Sequence, residues 1–163
     1  MTCCTPPLEL RIAKDYAEQP NPYDGPNFKG WKEFVAVVPH RVELFTAERE
    51  LEEKALAYMK MAESVSAPGS LKELQYLENK TQAYSQMMAA FVQMDQAFAA
   101  FDQAFQLDPR TQREEYLKRL DGSLEGFQKA RVMARYSAQT WSKVVDNVSD
   151  LGILWRLNTY VVT

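Results

Sequence analysis

Acid–base and nucleophilic chemistry requires side chains that titrate or attack near neutral pH, and this sequence places few of them together. Its single histidine, His40, directly follows Pro39, and no serine or cysteine context marks a nucleophile for it to activate. His40 therefore reads as a surface residue in the first turn of a helix. Cys3 and Cys4 are adjacent, so they cannot cross-link distant parts of a fold, and a metal site built on them lacks the further ligands it needs. Asp95 and Asp102 are a carboxylate pair seven residues apart, on one helix face and about 10.5 Å apart along the axis. Inverting glycosidases hold their carboxyl groups about 6.5–9.5 Å apart and retaining ones about 5–5.5 Å apart. With Gln93, Gln96 and Gln103 beside them, the two aspartates read instead as a solvated polar stripe. No Gly-rich phosphate loop, G-x-S-x-G elbow or H-E-x-x-H pair occurs. No catalytic residue, metal site or cofactor is expected.

Three residues stand out as candidate ligand contacts: Trp31, Arg131 and Trp155. Trp31 closes the run from Asn21 to Trp31, where Tyr23 and Phe28 alternate with Asn21, Asp24 and Asn27. Such a mixture can stack on sugar rings and hydrogen-bond their hydroxyls, and it equally suits an arm anchored on a helical core. Arg131 is the one charged residue on the apolar phase of its helix. It would either hold an anion between helices or bury only its stem. Trp155 belongs to an apolar C-terminal stretch.

The elements that position these residues are almost all helical. Residues 1–38 carry most of the eight prolines and read as an irregular arm, with strand-like composition at Leu8–Ile12 and Phe34–Val38 that would form a short hairpin at most. Pro39 suits the first turn of a helix running to about Glu63, whose apolar residues Phe45, Leu51, Ala55, Leu56 and Met59 alternate with charges. Ala67-Pro68-Gly69 ends it. Ser70 with Glu73 forms a capping-box sequence. From there to Pro109 neither glycine nor proline interrupts, and Leu77, Tyr84, Phe91, Phe98 and Phe105 recur every seven residues.

Asp108-Pro109 marks a tight turn into a third helix, antiparallel to the second. Asp121-Gly122-Ser123 resembles a loop, yet the apolar phase from Leu117 through Leu124, Phe127 and Ala134 to Trp141 is unchanged across it. One continuous helix over about 110–147 is therefore expected. Folding back at Asp108 places Gly126 near Phe91 and Gly122 near Met94 or Asp95, the glycines admitting large side chains. Ser149-Asp150 would cap a short last helix.

The fold class is thus all-α: an antiparallel bundle of three long helices plus a short C-terminal helix, with an irregular N-terminal arm. A chain of 163 residues, 46% hydrophobic and 25% charged, has a globular composition and a core that needs no staples. The domain organisation is residues 1–38 as arm and 39–163 as bundle. The net charge of −3 argues against nucleic acid, no apolar run is long enough to span a membrane, and no secretory leader is evident, so the cytoplasm is the default location.

Tyr76-Leu77-Glu78-Asn79-Lys80, the stretch Ala97–Asp102 and the segment Trp141–Asn158 (WSKVVDNVSDLGILWRLN) together resemble the helical region that follows the catalytic barrel in some large bacterial glycoside-hydrolase-like proteins. The resemblance implies a non-catalytic accessory domain in a carbohydrate-processing protein. The expected function is accordingly a helical accessory or interaction domain, its partner another domain or subunit, with carbohydrate as a candidate ligand. The alternative is a small-molecule-binding or enzymatic domain with a pocket between the helices or under the arm.

Overall fold

The computed structural model describes residues 29–144, 151–155 and 157–158. Three long helices carry the fold: α1 (Lys29–Glu63), α2 (Leu71–Phe105) and α3 (Arg113–Trp141). Residues 151–155 and 157–158 are also helical, and no strand occurs among the described residues. The expectations for Cys3 and Cys4, for Leu8–Ile12, for Tyr23 and Phe28, and for the Ser149-Asp150 cap fall outside the described residues.

The first helix begins ten residues before the expected start at Pro39, and Phe34–Val38 is helical rather than strand-like. Pro39 lies inside α1, where it removes one backbone donor and crowds the carbonyl four residues earlier, a defect of about 3 kcal/mol in an isolated helix. Packing overrides it. Trp31, Phe34 and Val38 lie one turn apart and are almost completely buried, forming a cluster with Met94 and Phe98 of α2 and Ala130 of α3. The Trp31 and Phe34 rings meet Phe98 edge-on at 5.7 and 5.3 Å, and Phe98 meets Phe127 at 4.9 Å. Burying two such aromatic side chains contributes several kcal/mol, enough to hold the helix through the proline.

Helix α2 is central and antiparallel to both neighbours. Contacts to α1 run from Trp31–Asp102 through Arg41–Asp95 to Phe45–Phe91. Those to α3 run from Gln103–Arg119 through Ala97–Ser123 to Ala83–Ser137. α2 begins where the sequence indicates, but Ser70 has helical dihedral angles and makes no side-chain capping bond. The α2–α3 connection is longer than a tight turn. Asp108 accepts hydrogen bonds from the Arg110 amide (2.9 Å) and the Thr111 hydroxyl (3.1 Å), stabilising a turn that precedes α3 rather than capping the helix itself.

Helix α3 runs unbroken through Gly122 as expected, although it spans Arg113–Trp141 rather than 110–147. Its seam differs from the aromatic heptad that dominates α2 on paper. Ala83, Ala90, Ala97 and Ala104, also spaced by seven, are the buried line of α2, and Ser123, Ala130 and Ser137 are its counterpart on α3. Small residues bring the two backbones so close that Ser123 Oγ donates to the Ala97 carbonyl (2.9 Å) and Ser137 Oγ to the Ala83 carbonyl (2.8 Å). Of the aromatic heptad only Phe98 is buried, and Leu77 is exposed.

The expected glycine contacts are corrected accordingly. A Cβ on Gly126 would lie 2.9 Å from Ala97 Cβ, not against Phe91, because the longer connection admits an axial offset between the helices. A Cβ on Gly122 would meet nothing within 4 Å. The C-terminal helical residues close the other end of the bundle. Leu157 is buried with Ala90, Ala134 and Ala138, while Ile153 and Leu154 pack alongside. Trp141, fully buried, meets Tyr84 edge-on at 4.6 Å.

Candidate interaction surface

The polar groups of α2 that face α1 serve as anchors. Asp95 is completely buried and receives a two-pronged contact from Arg41, with Nε donating to Oδ2 at 2.8 Å and Nη2 to Oδ1 at 3.3 Å. The guanidinium also lies over the rings of Phe34 (5.5 Å) and Phe45 (5.2 Å), which hold its plane in place. Burial pushes the Asp95 carboxyl above its ordinary pKa, and the hydrogen bond and charge of Arg41 offset this only in part. One helical turn pair further on, Asp102 accepts the indole N–H of Trp31 at 2.7 Å and the Gln106 amide at 2.8 Å. The solvated stripe read from Asp95 and Asp102 is therefore corrected: both carboxylates face partners on α1 and fix the register of α1 on α2.

The three candidate ligand contacts occupy three different settings. Trp31 fills the core, with its ring 1% exposed and its indole nitrogen committed to Asp102. Arg131 is exposed on the outer side of α3, seven residues beyond Leu124 and fourteen beyond Leu117, which are also exposed. The phase of Leu117, Leu124 and Arg131 is the outward one, while Ser123, Ala130 and Ser137 form the seam. Trp155 is half-exposed on the C-terminal helical stretch.

His40 is exposed, 3.9 Å from Glu43. At the end where α1 meets α2, Glu78 has its carboxyl raised, first by burial and then by the neighbouring charge of Glu63. The charge of Lys60 lowers it in part. Among the described residues no three His, Cys, Asp or Glu side chains are grouped to hold a metal ion, and no helix is long and apolar enough to cross a membrane.

What α1 does offer is an uncovered apolar face. Val37, Leu44, Leu51 and Tyr58 of α1, and Val65 in the turn that follows it, recur every seven residues and are 45, 54, 65, 72 and 84% exposed. Ala47 and Met61 fall between them at heptad spacing and are exposed as well. The inward positions of the same helix are different residues: Trp31, Phe34, Val38, Arg41, Val42 and Phe45. Single exposed apolar side chains are ordinary, but a continuous stripe along a helix is the signature of a face made to be covered. The sequence signal for this stripe is the spacing by seven from Val37 to Val65, which the strand-like composition of Phe34–Val38 conceals.

Comparison of the chain with protein-family models, with curated proteins and with solved structures gives no match.

Proposed function

We propose that this chain is a non-catalytic helical interaction module and that the exposed stripe of α1 is its docking face. The observation that carries this reading is the run of exposed apolar residues at heptad spacing from Val37 to Tyr58, on a helix that packs Trp31, Phe34 and Val38 against α2 on its other side. Covering such a stripe contributes roughly 25 cal/mol per Å² of apolar surface removed from water. The resemblance of residues 76–80, 97–102 and 141–158 to helical regions beside glycoside-hydrolase-like barrels agrees with a non-catalytic role. It is the sole support for a carbohydrate-processing setting. A ligand pocket built from Trp31, Arg131 and Trp155 is disfavoured by the burial of Trp31 in the core and by the outward position of Arg131.

The test is site-specific photocrosslinking in cells of the source organism. A benzophenone side chain at position 51 should form covalent adducts with a protein, whereas one at Lys129, exposed on α3, should not. Equal and negligible adduct formation at both positions would remove the proposed docking face.

A further inference from the structure

We infer that the distal half of α1, residues 46–63, opens away from α2 as a unit while the proximal half stays docked, and that protons on Glu52 and Glu78 hold it closed. The inference is independent of what covers the outer face of the helix. It starts from the uneven packing of α1. The buried residues of this helix, Trp31, Phe34 and Val38, all lie in its first ten positions, and none from Pro39 to Glu63 is buried. The anchors to α2 follow the same division, since the Trp31–Asp102 hydrogen bond, the Arg41–Asp95 pair and the Phe45–Phe91 ring contact all fall at or before Phe45. Beyond it the inward residues Ala55, Leu56 and Met59 are only half-buried. Segments with few buried apolar contacts open locally at a lower free energy than the whole fold.

The distal interface also holds two carboxyls that are poorly supplied with cations. Glu52 is half-buried, and α2 carries no charged residue between Lys80 and Asp95 to meet it. On its own helix Glu48 lies one turn before it, and Arg49 is engaged by Glu53 at 2.8 Å. Glu78 has a buried Oε1 without a hydrogen-bond partner. The charges that act on it come from α1: the Glu63 carboxylate and the Lys60 ammonium. Glu63 is the last residue of α1, where the helix dipole disfavours negative charge. Lys80, two residues on and so across the helix from Glu78, turns to α3 instead, donating to the Tyr76 hydroxyl at 2.7 Å and lying 6.0 Å from the Trp141 ring. Asp95, the next acid along α2, is held by Arg41 on the proximal side. A proton on the buried oxygen of Glu78 gives it a partner, because it then donates to Glu63.

Burial raises both carboxyls above their ordinary values; the charge of Glu48 adds to this at Glu52, and that of Glu63 adds at Glu78 against a smaller lowering by Lys60. A carboxyl raised in the closed form stabilises that form below its ordinary pKa, and the contribution is lost as pH rises through the closed-form value. Closure is therefore firmer in mild acid than at neutral pH.

Native-state hydrogen exchange of the full chain at about pH 5 and about pH 7.5, read as protection factors so that the intrinsic pH dependence divides out, tests both parts. Amides of residues 46–60 should be several-fold less protected than those of 31–41 at either pH, and should lose a further several-fold between the lower and the higher pH. In Glu52→Gln/Glu78→Gln, neutral at both positions throughout, that further loss should vanish, while residues 31–41 keep the wild-type response. Equal protection of the two segments at both pH values would overturn the separate opening of the distal half. A loss that persists unchanged in the variant would overturn the two carboxyls as its cause, and a wild-type chain without the loss would do so with no variant needed.

Discussion

Two glycines on one helix should respond in opposite ways to the same substitution. Gly122 and Gly126 both lie within α3, and alanine at either position gains about 1 kcal/mol of helix propensity. At Gly122 the added methyl enters open space, so the gain is realised and Gly122→Ala should stabilise by about 1 kcal/mol. At Gly126 the methyl would lie 2.9 Å from Ala97 Cβ and 3.4 Å from Ala97 Cα. Neither of those atoms can rotate away, so the helices must separate. Overpacking of this kind costs about 1–3 kcal/mol. The same separation stretches the nearby Ser123–Ala97 hydrogen bond, which contributes about 1 kcal/mol. Gly126→Ala should therefore be net destabilising by about 1–3 kcal/mol. For a chain of this size the two variants should differ in Tm by roughly 5–15 °C. Urea denaturation and thermal melts monitored by circular dichroism measure both. The double variant Gly126→Ala/Ala97→Gly, which restores clearance, should show a favourable coupling of about 1 kcal/mol in a double-mutant cycle. Equal stabilisation by both glycine replacements would refute the close approach of α2 and α3.

The Arg41–Asp95 pair makes the fold sensitive to pH once Arg41 is lost. Arg41→Met removes the two influences that lower the Asp95 carboxyl, so its folded pKa rises further above the unfolded value. A carboxyl with a raised folded pKa contributes stability below the unfolded pKa and loses it as pH rises through the folded pKa. The variant should accordingly be destabilised by about 3 kcal/mol near pH 7.5 and by clearly less near pH 4.5. Urea midpoints at the two pH values measure this, and an equal penalty at both would show that Asp95 is not the group responsible. Trp31→Phe keeps the aromatic packing but strands the Asp102 hydrogen bond, with an expected loss of about 1.5–3 kcal/mol. Hydrogen exchange in the variant should accelerate first in residues 29–38; a loss of protection confined to α3 would contradict the anchoring role of Trp31.

The parts of the fold that were legible in the sequence are those where local signals and packing agree. α2 and α3 carry long stretches of helical periodicity and antiparallel connectivity, and α3 continues through Gly122, with Ser123 next to it packed in the seam on α2. The start of α1 was hidden. Pro39 is a reliable helix opener only when no packing compels a helix before it, and here the burial of Trp31, Phe34 and Val38 compels one. The α2 seam was obscured by side-chain size. Aromatic residues at a seven-residue spacing attract attention, but a close helix pair buries its smallest side chains between the backbones, so the line from Ala83 to Ala104 lies inside and the aromatic residues flank it.

Asp95 and Asp102 illustrate a limit of a different kind. Their partners, Arg41 and Trp31, are 54 and 71 residues away in sequence, and no local pattern pairs them. The same applies to Arg131, which shares its phase with Leu117 and Leu124; only the position of α2 reveals that this phase faces outward. The α1 stripe, in contrast, was written in the spacing of Val37, Leu44, Leu51, Tyr58 and Val65. It became readable once α1 was known to continue through Pro39.

Hydroxyl-radical footprinting of the purified chain and of the chain in a lysate of its source cells tests the docking face most directly. Leu44, Leu51, Tyr58 and Met61 should be reactive in the purified chain and become protected together in the lysate, while Leu117 and Leu124, exposed on α3, keep their reactivity throughout. Unchanged reactivity of the four α1 residues in the lysate, or protection that appears on α3 instead, would contradict docking through α1.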